Sequence, residues 1–165
     1  MNLRRLLRHL FTTELKRRRC FPAHALNVIE QEIRVSEKHH GGEIRVAIET
    51  ALEGPSLWHD LSPRERAIDV FARLRVWDTE HNNGVLIYIL LADQDVEIIA
   101  DRGYRERISG AEWEAACRAM EAEFGAGRFE TGAVKGIRAV AAIIGRRFPP
   151  SPHDTNELPD RPALL

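Results

Sequence analysis

The longest apolar run of the chain, Val85–Ala92, lies between polar turn residues on both sides. A run without alternation is typical of a strand buried on both faces, so we predict that it is the central strand. Residues 43–50 alternate with period two and predict a second strand. Val96–Ala100 follows a short turn and is predicted to return antiparallel to the central strand as a hairpin.

Apolar residues at helical spacing predict five helices. They span residues 3–15, Pro22–His39, Ser62–Trp77, Glu112–Phe124 and Glu130–Arg146. The helix after Ser62 has Pro at its first position and Glu at its third, which is a capping-box pattern. Because a helix separates the first two strands, they are predicted to be parallel. The pattern therefore predicts an α/β fold with a small mixed sheet and helices on both faces.

The chain divides into three parts by composition. Residues 1–21 predict a basic amphipathic helix, residues 22–147 the α/β domain, and residues 148–165 an extended tail rich in Pro and Asp. A loop containing Gly54 and Pro55 is predicted over residues 51–61.

Charge is distributed unevenly between the first 19 residues and the rest. The 165-residue chain has 24 basic and 25 acidic side chains, but residues 1–19 hold seven bases and one acid. The remainder is therefore acidic. A basic segment on an acidic body predicts an anionic partner for that segment, or docking of the segment onto the body itself.

The basic helix has two interpretations. Leu3, Leu6, Leu7, Leu10 and Phe11 form one apolar stripe, with arginines on the opposite face. Such a helix binds a membrane surface or an acidic partner, or else its apolar stripe packs on its own domain. We favour packing on its own domain. An unknown protein or an anionic membrane is the partner class for residues 1–19, and nucleic acid is a weak third.

Cellular location follows from the absence of certain segments. No apolar span reaches the roughly 18–20 residues of a transmembrane helix, and no secretory signal is evident. The two cysteines, Cys20 and Cys117, are far apart and indicate a reducing compartment. We expect a soluble cytoplasmic protein, with peripheral membrane contact as the alternative.

The predicted topology places polar residues at two edges of the sheet. Glu49, Asp93 and Asp95 are expected at the carboxyl ends of the parallel strands, where open α/β sheets bind ligands. Another group should meet at the opposite edge, with Glu43 nearby. It comprises Asp78, Glu80, Asn82, Asn83, Gly84, Asp101, Arg102 and Gly103. Oxygen ligands with a nearby arginine suit Mg²⁺ or Ca²⁺ and a phosphate. We favour the simpler alternative, in which these Asp and Asn residues cap turns.

These residues also carry a resemblance to a known family. Gly42–Glu49, Asn83–Tyr88, Asp101–Gly103, Arg128–Gly132 and Asn156–Asp160 together resemble the short, soluble bacterial branch of the TPM domain family. The resemblance implies an α/β/α sandwich. It also implies acid phosphatase activity or Ca²⁺ or Mg²⁺ binding in some members, and membrane-protein assembly or maintenance in others. The resemblance implies Asp101 and the Asn83–Gly84 turn as candidate site residues. Asp101 stands where many members have a glycine.

Two functions follow as expectations. The first is a non-catalytic binding or assembly module, which the basic helix and the lack of a nucleophile motif favour. The second is a metal-assisted phosphatase, in which Asp78 and Asp101 bind the metal or act as acid and base, and Arg102 holds phosphate. Whether the protein is an enzyme stays open at this point.

Overall fold

The computed structural model describes residues 3–52, 54, 57, 60–105, 108–152 and 155–165. Within these ranges the chain forms six α-helices, four β-strands and two short 3-10 helices. Part of the predicted loop 51–61, including Pro55, lies outside the described residues.

A four-stranded mixed sheet lies at the centre of the fold, in the order β3-β2-β1-β4. Its strands are β1 (Glu43–Glu49), β2 (Gly84–Leu90), β3 (Asp95–Ala100) and β4 (Ala163–Leu164). Strand β2 runs parallel to β1, with Glu43 opposite Gly84. It runs antiparallel to β3, with Val85 opposite Ala100. The predicted parallel unit and hairpin are therefore confirmed.

Six helices surround the sheet. They are α1 (Leu3–Phe11), α2 (Glu14–Cys20), α3 (Ala23–Ser36), α4 (Pro63–Arg73), α5 (Gly110–Gly125) and α6 (Phe129–Gly145). The predicted capping box starts α4. The Ser62 side chain accepts from the Glu65 backbone N–H, and the Glu65 carboxylate accepts from the Ser62 backbone N–H. A second capping box, Ser109 with Glu112, starts α5 two residues before the predicted start.

The core has two halves, one on each face of the sheet. On one face, side chains such as Ile44, Val46 and Ile87 pack with residues of α3, α5 and α6. On the other face, Leu86 and Tyr88 pack with Ala67 and Val70 of α4. All seven residues of β2 are buried. The predicted burial of the central strand on both faces and the α/β/α architecture are confirmed.

The prediction of a single basic helix is wrong, because the segment forms two helices, α1 and α2. Helix α1 ends at Phe11, and the Thr12 hydroxyl donates to the Arg8 carbonyl at 2.7 Å. Thr13 is extended and precedes the first residue of α2. We call residues 3–20, which contain both helices, the N-terminal arm.

Residues 148–165 contribute a fourth strand that the sequence pattern does not predict. Strand β4 pairs in parallel with β1, with Ala47 opposite Ala163 and Ile48 opposite Leu164. Arg45 donates to the backbone carbonyl of Pro159 at 2.7 Å, and the Leu158 N–H donates to Glu43 at 3.1 Å. Both contacts hold the chain along β1, so this segment covers the edge of the sheet.

Candidate functional site

The amino-end edge of the sheet brings together most of the residues predicted there. The Gly103 N–H donates to the Asn82 carbonyl, and the Asp101 N–H donates to the Gly84 carbonyl, both at 3.0 Å. These bonds join the turn before β2 to the turn after β3. The register β1–β2–β3 thus aligns Glu43, Gly84 and the end of β3 on one side of the sheet.

Asp101 and Arg102 are engaged in turn contacts at this edge. Asp101 Oδ1 accepts from the Arg102 backbone N–H at 2.6 Å, which caps the 3-10 helix Arg102–Tyr104. The exposed Arg102 side chain donates through Nε to Asn82 Oδ1 at 2.8 Å. Turn capping accounts for Oδ1 of Asp101. Its other oxygen, Oδ2, is buried and has no hydrogen-bond partner among the described residues.

Asn83, another of the predicted residues, is fully buried. Its Nδ2 donates to the Gly41 carbonyl at 2.6 Å, and its own carbonyl accepts from the Tyr104 hydroxyl at 2.7 Å. Asn83 Oδ1, like Asp101 Oδ2, is buried without a hydrogen-bond partner in the described part of the chain. Tyr104 is not among the predicted site residues. Burial, with the charges of Asp101 and Glu43, raises the pKa of its hydroxyl.

Asp78 has a different environment from Asp101. It follows α4, is half-exposed, and pairs with Arg75 Nη2 at 2.7 Å. No group of three His, Cys, Asp or Glu side chains suited to a metal ion occurs among the described residues. Two oxygen atoms at this edge, Asp101 Oδ2 and Asn83 Oδ1, are buried without a hydrogen-bond partner among the described residues.

The carboxyl-end edge separates its three acids. Glu49 accepts two hydrogen bonds from Arg66, at 2.8 and 2.9 Å, and one from the Tyr88 hydroxyl at 2.7 Å. Asp93 is bound by the arm. Burial, with the charges of Glu97, Glu121 and Asp93, raises the pKa of Asp95 to about 6. Since each acid has its own surroundings, the edge does not form one shared carboxylate site.

The arm docks on this edge through its polar face. Arg5 donates to Asp93 through Nε at 3.0 Å and Nη2 at 2.8 Å, and it also contacts Asp60 at 2.7 Å. His9 is fully buried and places Nε2 at 3.1 Å from Asp93 Oδ1. The predicted docking of the basic segment onto the acidic body therefore occurs, through Arg5 and His9.

The electrostatics of Asp93 favour its charged form. Burial alone opposes ionisation, but the hydrogen bonds from Arg5 and His9 and the charge of Arg5 outweigh it and hold the pKa of Asp93 below its usual range. The same contact raises the pKa of Arg5. A carboxylate with several charged donors is a strong anchor for a short helix.

The apolar stripe of the arm faces away from the protein. Leu3, Leu7, Leu10, Phe11 and Leu15 have exposed fractions of 43–78%. We call these five residues the outer stripe. Of the residues in the predicted stripe, Leu6 packs against the core. Our expectation that the stripe packs on its own domain is wrong, because the polar face of α1 forms the docking contact instead.

Basic residues surround the outer stripe. Arg4, Arg8, Lys16, Arg18 and Arg19 are all exposed on the same two helices. Large apolar side chains beside exposed cations form the pattern of a surface that contacts anionic membranes or acidic partners.

A cavity of about 1040 Å³ lies between the arm and the carboxyl-end edge. We call it the arm cavity. Its wall includes Leu6 and Leu10 from the arm, Leu52 and Leu57 from the segment after β1, and Glu49 from the sheet. Helix α4 adds Arg66 and Arg73. The sequence pattern does not reveal this cavity, because it depends on where the arm docks.

Comparison with known proteins agrees with the architecture and with the family resemblance. The family described as the TPM domain matches residues 19–143. This range is most of the chain, so the protein belongs to the TPM domain family.

Two solved structures share this fold. The BA42 protein of the psychrophilic bacterium Bizionia argentinensis is 32% identical, has a TM-score of 0.75, and aligns with 88% of this chain and 95% of its own. The N-terminal domain of a protein from P. gingivalis is 17% identical, has a TM-score of 0.60, and aligns with 75% and 76% of the two chains. The second likeness supports the fold alone. No curated protein matches the sequence.

Proposed function

We propose that this TPM domain is a non-catalytic binding module that contacts an anionic membrane surface through the N-terminal arm. The observation that carries the proposal is the outer stripe, whose apolar side chains lie in solvent while the polar face of α1 is docked. An apolar stripe that the fold leaves uncovered favours a second surface that covers it.

Charge complementarity favours lipid over other partners. Exposed basic residues on both arm helices flank the stripe, and each basic residue close to an anionic bilayer contributes about 1 kcal/mol. The apolar side chains would enter the boundary between head groups and acyl chains. Among the described residues, no helix has the length and apolar character needed to cross a bilayer. Binding at the surface is therefore the mode proposed.

Co-sedimentation with vesicles tests this function. The wild-type protein should pellet with phosphatidylglycerol vesicles and much less with phosphatidylcholine vesicles. Phe11→Asp places a charge in the outer stripe and should abolish pelleting. Ile68→Asp is the matched control, because Ile68 is also exposed but lies on α4. An unchanged pelleted fraction for Phe11→Asp, or an equal loss for Ile68→Asp, would count against the membrane surface.

One observation favours a second candidate function. Asp101 Oδ2 and Asn83 Oδ1 are buried oxygens without hydrogen-bond partners in the described ranges. Hard oxygen atoms of this kind suit Ca²⁺ or Mg²⁺. When bound, such an ion would stabilise negative charge on a phosphoryl group. Asp101 would then hold the ion and Arg102 would bind phosphate, whereas Asp78 is already paired with Arg75.

A thermal shift separates the two candidates. Under the second, millimolar Ca²⁺ or Mg²⁺ should raise the Tm, because a ligand of the native state stabilises it. The rise should disappear in Asp101→Asn, and hydrolysis of an aryl phosphate should need the ion and be lost in the same variant. An unchanged Tm together with no turnover above a mock purification would remove this candidate and leave the binding module.

A further inference from the structure

We propose that the arm cavity binds one acyl chain that carries an anionic head group. This ligand class includes free fatty acids and lysophospholipids. The inference concerns the inner side of the arm, whereas the membrane contact concerns its outer side. The two can therefore fail separately.

The size of the arm cavity and the leucines in its mixed lining suit an acyl chain. Ligand pockets in proteins have volumes of roughly 300–1,000 Å³, and the arm cavity at about 1040 Å³ lies just above this range. Leucines line it from two sides, with Leu6 and Leu10 on the arm and Leu52 and Leu57 on the body. These walls offer apolar contact along a chain rather than at one point.

The charges in the cavity wall favour an anionic head group. Both acids that line it have partners of their own. Glu49 is bound by Arg66 and Tyr88, and Glu14 accepts from Arg17 at 2.7 Å and from Thr50 at 2.5 Å. The acids therefore add little uncompensated negative charge to the wall.

Arg73 is the cation in the wall with the weakest pairing. Its contact with Asp69 measures 3.6 Å, the longest ion pair among the described residues, and Asp69 also binds Arg66 at 2.6 Å. The Arg73 side chain is mostly exposed, so it can turn toward a ligand with little loss. A carboxylate or phosphate at the cavity opening would give its guanidinium a full partner.

The position of Leu10 links the cavity to the outer stripe. This side chain lines the cavity and is also one of the five exposed apolar residues of the arm. An acyl chain could thus enter beside the surface proposed to face lipid. The leucines of the wall and the charge of Arg73 identify the occupant, and this continuity adds a route of entry.

Titration with a fluorescent fatty acid, 11-(dansylamino)undecanoic acid, tests the proposal in solution without vesicles. The wild-type protein should bind it saturably at one site. Ala51→Trp fills the cavity and should weaken binding by at least about 10-fold. Ala122→Trp adds the same ring on the exposed surface of α5 and should leave binding unchanged. Should Ala51→Trp fail to fold, Thr13→Trp fills the cavity from the exposed start of α2.

The head group is tested with Arg73. Arg73→Ala should weaken binding of the acid by about 5- to 10-fold, whereas Arg73→Lys should retain the affinity. The neutral methyl ester of the probe should bind equally to the wild-type protein and to Arg73→Ala. Competition with palmitate or with lysophosphatidylglycerol distinguishes the two sources of the ligand. The proposal is overturned if the probe shows no saturable binding, or if neither Ala51→Trp nor Thr13→Trp weakens that binding. Equal affinity of the wild-type protein for acid and ester would overturn the preference for an anionic head group.

Phe11→Asp distinguishes this proposal from the membrane contact. Phe11 belongs to the outer stripe but not to the cavity wall. This variant should lose vesicle binding and keep the affinity for the soluble probe. Loss of probe binding in Phe11→Asp with an intact fold would contradict the separation of the two faces.

Discussion

His9 Nε2 lies 3.1 Å from Asp93 Oδ1, although 84 residues separate the two in the sequence. The other ring nitrogen, Nδ1, accepts a hydrogen bond from the Leu52 backbone N–H at 2.9 Å. Because Nδ1 is an acceptor, the neutral ring carries its hydrogen on Nε2 and donates it to Asp93. A buried histidine therefore connects the arm to two separate parts of the body.

Removal of the Asp93 charge should release the arm. Asp93→Asn takes the carboxylate from Arg5 and His9, and breaking a buried pair of this kind costs about 2–3 kcal/mol. Hydrogen exchange of the amides in residues 3–20 should become faster, while the amides of β2 stay protected. Glu114→Gln removes an exposed partner of Arg118 and serves as the control. Unchanged exchange in the arm would mean that Asp93 does not hold it.

Acid should release the arm in the wild-type protein as well. The pKa of Asp93 is lower in the folded state, so its contribution to stability is present above the unfolded value of about 3.9 and is lost as the pH falls through the folded value. The pKa values of two further acids are lowered too: Glu14, which lies in the arm, and Asp60, which binds Arg5. The protection of the amides in residues 3–20, measured relative to their intrinsic exchange rates, should therefore fall below about pH 4. Protection that increases on acidification would contradict this sign.

A close backbone approach makes Gly103 necessary at the amino-end edge. A Cβ atom on Gly103 would lie 2.4 Å from the Asn82 carbonyl oxygen and 2.9 Å from the Phe148 ring. Gly103→Ala should therefore destabilise the fold by about 1–3 kcal/mol in chemical denaturation. Gly110→Ala is the matched control, because a Cβ atom there meets nothing within 4 Å. Equal stability of the two variants would show that the turn adjusts without cost.

Strands β1, β2 and β3 could be predicted because the apolar pattern of each is local information. The uninterrupted apolar run of β2 and the alternation in β1 each follow from side chains that neighbour one another in sequence. The turns around Asn82 and Gly103 also meet as predicted, since the hairpin and the parallel pair fix where each strand begins and ends. The topology alone was therefore sufficient to predict which residues meet at the amino-end edge.

The position of the arm could not be predicted, because helical periodicity does not say which face docks. The stripe of α1 suggested apolar packing, but the contact depends on Arg5 and His9 meeting Asp93, far along the chain. Strand β4 was missed for a similar reason. It has only two residues, and its place is set by contacts such as that between Arg45 and Pro159.

Asp95 should destabilise the protein at neutral pH. Its pKa is raised to about 6 by burial and by nearby acids, and Oδ1 has no hydrogen-bond partner among the described residues. The native state therefore opposes ionisation, and stability falls as the pH rises from about 4 to 6. Asp95→Asn keeps the shape without the charge. It should gain about 1–2 kcal/mol at pH 7.5 once solvent screening is allowed for.

The pH dependence of this gain is the sharper measurement. At pH 4 the native-state carboxyl of Asp95 is already protonated, so the stabilities of the wild-type protein and Asp95→Asn in urea should converge. Any acid effect on the arm is common to both proteins and cancels in their difference. Glu114→Gln should show no gain at either pH, because Glu114 is exposed on α5. A gain for Asp95→Asn that is equal at pH 4 and pH 7.5 would assign the effect to packing rather than to charge.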